Sequence, residues 1–111
     1  MTAYKAPLDD LRFALFDLLG AEPTLTALQG GEGHSRDLLD AVLEEAGRLS
    51  EQLLAPTNGP ADEEGCHFDK ASQTVTTPKG FKEAFRQFAE GGWTGLTNPE
   101  AYGGQALPGV L

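Results

Sequence analysis

RDLLDAVLEEAGRLSEQLL, residues 36–54, is the stretch on which the fold turns. Leu38, Leu39, Val42, Leu43, Ala46, Leu49 and Leu53 recur at intervals of three and four, which predicts a helix with one apolar stripe. Asp40, Glu44, Glu45, Arg48 and Glu51 fall mostly off that stripe and predict a solvated back face. Glu44 and Arg48 stand in the favourable order for an i,i+4 ion pair. Ser35 has the chemistry of an N-cap, and Pro56 is expected to end the helix.

Towards the N-terminus, Leu8, Leu11, Leu15, Leu18 and Leu19 have helical spacing, with Asp9 and Asp10 suited to the positive end of the dipole and Gly20 as the stop. Phe13 and Phe16 lie off that stripe, so this helix is apolar on two sides and requires a second partner. Residues 22–28 predict a short helix opened by Pro23, followed by a loop at Gly30, Gly31 and Gly33. Towards the C-terminus, Asn58-Gly59-Pro60 and Asp62-Glu63-Glu64 predict a loop. Cys66-His67-Phe68 and Thr74-Val75-Thr76 predict a short hairpin. Thr77-Pro78 predicts the start of a third helix that runs to about Glu90, presents Phe81, Ala84, Phe85 and Phe88 on one face, and stops at Gly91-Gly92. Residues 92–111 are rich in glycine and proline. The expected fold class is therefore all-α: three main helices, one short hairpin and a Gly/Pro-rich C-terminal segment. The two-sided first helix and the apolar end Leu107–Leu111 predict a piece of a larger protein.

The 111 residues carry 17 acidic and 8 basic side chains, a formal net charge of -9. Such a surface repels phosphate, and Lys and Arg are scattered singly, which argues against binding to nucleic acid or anionic membranes. No stretch approaches the roughly 20 apolar residues of a membrane helix. The start, residues 1–7, lacks a basic region leading into an apolar run, so a cytoplasmic location is expected. With Cys66 as the single cysteine, no disulfide can close within the chain.

The residues give no self-contained active site. Cys66 and His67 are neighbours, and adjacent strand residues point to opposite faces, which disfavours both a metal site and a cysteine–histidine pair. His34 reads as a solvated loop residue. Gly30-Gly31-Glu32-Gly33 lacks the preceding strand and the lysine of a phosphate loop. Phe81, Phe85 and Phe88 read as core, with Trp93 packing the end of their helix. Neither catalytic, cofactor-binding nor metal-ligating residues are assigned.

Two longer segments carry a resemblance. Residues 4–13, YKAPLDDLRF, resemble the N-terminal extension of a bacterial branch of the acyl-CoA dehydrogenases, a branch that includes enzymes acting on methylthiopropionyl-CoA. Residues 92–108, GWTGLTNPEAYGGQALP, are similar to the family's loop after its third helix, where Gly-Trp-x-Gly-Leu precedes Pro-Glu-x-Tyr-Gly-Gly. Leu53–Asn58 and Gly65–Phe68 fit the same order, so the resemblance covers essentially the whole chain. It implies that residues 1–111 are the N-terminal helical domain of a flavoprotein, with 1–20 as extension and first helix and 92–111 as a loop on the substrate side. It further implies FAD, a catalytic glutamate and a flavin site later in the parent chain, an enoyl-CoA product, a homo-oligomeric parent and an electron-transfer flavoprotein as electron acceptor. From the same resemblance, Tyr102, Gly103, Gly104, Gln105 and Leu107 are candidates for the acyl pocket; for Gly103 and Gly104, a tight turn is an equally good reason. The competing readings are a free-standing helical interaction module that uses Phe13 and Phe16, and a small metal domain around Cys66.

Overall fold

The computed structural model describes residues 3–28 and 31–111. The helices are α1 (Leu8–Arg12), α2 (Ala21–Thr26), α3 (Arg36–Leu49), α4 (Ala55–Glu64) and α5 (Phe81–Glu90). Wide π-helical turns continue α1 through Phe13–Leu18 and join α3 to α4 through Ser50–Leu54. A hairpin of β1 (His67–Asp69) and β2 (Thr74–Thr76) separates α4 from α5. The strands are antiparallel, with His67 opposite Thr76 and Phe68 opposite Val75. The chain is thus a mainly helical domain with one minor hairpin, as its periodicities predict.

Ser35 caps α3 as expected, its Oγ accepting from the Leu38 amide at 3.2 Å. Pro56 does not end the helical run. A proline lacks an amide hydrogen and crowds the carbonyl four residues earlier. The Ala55 amide reaches back five residues, to Ser50, and this wider turn accommodates the proline at the start of α4. Residues 58–64, expected as loop, are therefore helical. The start of α5 is also displaced: Pro78 opens a turn through Lys79 and Gly80, closed by the Phe81 amide on the Pro78 carbonyl, and the helix begins after Gly80 in a left-handed conformation. The short helix expected over 22–28 does form, but as Ala21–Thr26, beginning ahead of Pro23 and ending two residues early. In the loop before α3, Gly31 is buried and His34 half-buried rather than solvated; Gly30 lies outside the described residues.

The π-turn after α1 rotates its apolar stripe. Leu15 is buried, whereas Leu18 is 69% exposed and Leu19 also faces solvent. Phe16 turns inward instead, and the Arg36 guanidinium sits 4.6 Å from its ring centroid. Leu15, Ala21 and Leu43 form the main buried cluster, with Leu8, Phe16, Leu25 and Leu111 packed against it. Leu39 is fully enclosed on α3.

The segment before α1 and α1 itself lie antiparallel to α3. Residues 5 and 6 meet Glu51, Leu8 lies over Gly47, and Arg12 reaches Asp40 and Glu44. A Cβ on Gly47 would stand 3.2 Å from Leu8 Cδ2 and 3.3 Å from Ala6 Cβ, so the bare glycine permits this approach. Glu44 is consequently drawn to Arg12 rather than to Arg48, and Arg48 pairs with Glu45 at 2.5 Å.

The molecule is a slab of 58 × 38 × 16 Å. Its thinnest dimension exceeds by little the roughly 10–12 Å diameter of a single helix. Its radius of gyration is 17.9 Å, against about 13 Å for a compact chain of this length. The accessible surface is 7981 Å², some 2,000 Å² above the roughly 5,900 Å² of a compact monomer of 11.8 kDa. On α5 only Ala84 is buried, and Phe81 and Phe85 remain exposed. The expected Phe face exists, but this chain does not cover it.

Candidate functional site

The C-terminal segment is held by its own backbone. After α5, Gly92 turns the chain at a φ of 80°, and a short 3₁₀ turn carries Trp93–Gly95. A second spans Glu100–Tyr102 and ends on Gly103 at a φ of 82°. The return strand of the loop then bonds to its outgoing strand. The Gln105 amide donates to the Gly95 carbonyl at 3.0 Å, Ala106 to Asn98 at 2.9 Å and Leu107 to Leu96 at 3.0 Å. Gly104 packs so closely on Asn98 that an added Cβ would overlap the Asn98 carbonyl oxygen. Both glycines of Tyr102-Gly103-Gly104 are thus demanded by the turn itself: one by its φ, the other by close approach.

The five loop residues singled out by sequence do not converge. Tyr102 stands at the tip, 87% exposed, with Gly103 beside it. Gln105 and Leu107 turn the other way and line a recess of about 240 Å³ with Trp93 and Leu96. The opposite wall is Ala41, Val42 and Glu45 of α3. Sequence reasoning missed Asn98, which pins the turn, and the α3 wall. Asn98-Pro99 signalled a turn, but only the fold shows which glycine it clamps. The recess can seat a small apolar group beside the Gln105 amide; it holds no paired acid and base.

Several charged groups elsewhere are committed to structure. Arg12 donates from Nε to Asp40 at 2.5 Å and pairs with Glu44 at 3.3 Å, and the Asp40 hydrogen bond comes first in raising its pKa. Arg86 bridges Glu83 and Glu90 along α5; with help from Gln87 it holds the Glu83 carboxyl down at about 2. The Glu51 carboxyl is lowered first by the Ala6 amide and then by Lys5.

At the start of α3 and in the turn ahead of α5, the chain's own carboxylates accept hydrogen bonds from backbone amides. Glu22 accepts from the Arg36 amide at 2.9 Å, and Glu64 from the Lys79 amide, just ahead of α5, at 3.1 Å. Among the described residues no group of three or more His, Cys, Asp or Glu could hold a metal ion. Cys66 is an exposed free thiol just outside β1. No helix among the described residues is long and apolar enough to cross a membrane.

No family model matches the chain. Two curated proteins do. The chain is 36% identical over 108 residues to the 3-methylmercaptopropionyl-CoA dehydrogenase of Ruegeria pomeroyi, an alignment that covers 97% of this chain and 18% of that protein. It is 30% identical over 90 residues to the butyryl-CoA dehydrogenase of Syntrophomonas wolfei, covering 80% of this chain and 15% of that protein. The chain thus spans less than a fifth of the length of the relatives it matches. Nearly its whole length, N-terminal segment and C-terminal loop included, is homologous to acyl-CoA dehydrogenase family proteins.

Proposed function

We propose that this chain is the N-terminal helical domain of a flavin-dependent acyl-CoA dehydrogenase, and that it walls the substrate cavity while the chemistry resides elsewhere in the parent protein. The observation that carries this reading is the 36% identity across 97% of the chain. The slab shape supports it, because exposed faces on α1 and α5 suit a domain that packs against other parts of one enzyme. The substrate is a short acyl-CoA thioester: both relatives are named for short acyl groups. FAD, a homo-oligomeric assembly and an electron-transfer flavoprotein belong to the parent. Tyr102, Gly103, Gly104, Gln105 and Leu107 form the loop on the acyl side of the cavity, with Gln105 and Leu107 shaping its floor.

Anaerobic mixing of the FAD-loaded parent with butyryl-CoA or 3-methylmercaptopropionyl-CoA should bleach the flavin, and the isolated 111-residue chain supplied with FAD should not. A parent that binds no flavin, or whose flavin neither thioester reduces, would contradict the reading.

A second reading has one observation in its favour. Phe13 is 59% exposed beside Leu18 and Leu19, a patch that suits a free-standing interaction module. Phe16 is half-buried under Arg36, which leaves Phe13 as the probe. Phe13→Ser should then abolish association of the isolated chain with itself or a partner without unfolding it. Association that survives the change removes this reading.

A further inference from the structure

We infer that residues 3–7 form a detachable strap, latched onto the long helical run beneath it by the single carboxylate of Glu51. The inference does not depend on the dehydrogenase reading. Among the described residues, every side-chain hydrogen bond from the strap to the rest of the molecule ends on that carboxylate. The Ala6 amide donates to Oε1 at 2.8 Å, and Lys5 Nζ donates to Oε2 at 3.3 Å. The remaining backbone bonds, from Leu8 to Ala6 and from Leu11 to Pro7, are local and serve the start of α1. The strap joins no sheet, and Tyr4, Lys5 and Pro7 are exposed.

Its seat is Gly47, one helical turn before Glu51 and on the same face. The Ala6 methyl and the Leu8 side chain lie against the bare Cα there. α1 has a separate anchor, the Arg12 pairs with Asp40 and Glu44, so the strap can leave while α1 stays. The charged groups around the latch are few. Lys5 faces it from the strap, and Glu44, Glu45 and Arg48 share the recess on the α3 side, where Arg48 is already held by Glu45.

The latch has a consequence for shape. Ala3 and Tyr4 form one wall of an open groove of about 680 Å³, whose other wall is Leu54, Pro56, Asn58 and Pro60. Freeing the strap takes that wall away. The latched and released states therefore differ in whether the groove exists.

Residue-resolved amide exchange on the ¹⁵N-labelled chain tests this. Glu51→Gln keeps the shape and removes the charge. It should speed exchange at the Ala6 amide about tenfold, the order expected for loss of a charge-assisted bond, and leave the Leu39 and Leu43 amides as they were. Gly47→Ala should do the same from the other side, because its methyl must displace Ala6 and Leu8. Unchanged Ala6 exchange in either variant overturns the inference. So does parallel acceleration at Leu39 and Leu43, or failure of Glu51→Gln to fold, since Glu51 would then support the fold as a whole.

Discussion

Leu39 is the most enclosed large side chain among the described residues, and the buried core around it is small. Leu39→Ala should cost about 2–5 kcal/mol, the usual range for such a truncation, and urea unfolding would measure it. Glu51 makes a different prediction. Its carboxyl titrates below the ordinary 4.5 because the Ala6 amide and Lys5 hold the charged form. A lowered carboxyl contributes stability that is complete above the unfolded value and is lost as pH falls through the folded one. Protection of the Ala6 amide should therefore be constant above about pH 5 and fall below the ordinary carboxylate range. Protection that falls instead between pH 6 and 8 would place the titrating group elsewhere. Glu83 follows the same sign, with its contribution fading between 4.5 and about 2 as pH drops. The Glu51 contacts, 45 and 46 residues apart in the chain, could not be read from the sequence, whereas Glu83 and Arg86 have the i,i+3 spacing of a local pair. Glu44 and Arg48 looked like partners because they are four apart, but Arg12, distant in the chain, takes Glu44.

At the scale of elements, local chemistry was legible where local chemistry decides. Ser35 caps α3, and the hairpin forms between the two runs that alternate, shifted by one residue so that Cys66 falls outside. Ser35→Ala should cost about 0.5–2 kcal/mol, most visible as faster exchange of the first-turn amides of α3. What the sequence hid were the two π-turns. A residue inserted into a helical turn leaves no compositional mark, yet it swings Leu18 and Leu19 outward and carries the chain past Pro56. Pro56 and Asn58-Gly59-Pro60 read as loop because proline and glycine usually punctuate helices. The loop at 92–108 was legible as a turn-rich segment and through its resemblance, but not as a recess. That recess needs α3 as its second wall, and α3 lies some fifty residues earlier in the chain.

At the scale of the whole molecule, the slab leaves apolar faces on both α1 and α5 that the chain cannot cover by itself. The isolated chain should therefore enhance the fluorescence of the dye 8-anilinonaphthalene-1-sulfonate without denaturant, even where its helices are intact by circular dichroism. Absence of enhancement would mean that these faces close on each other in solution. The two-sided first helix foretold the uncovered surface; its extent followed only from the shape. The most direct measurement is the mass and flavin content of the native polypeptide captured from its own cells by antibodies against residues 36–64. The account predicts a chain several times longer than 11.8 kDa that carries FAD. An 11.8-kDa polypeptide without flavin would contradict it.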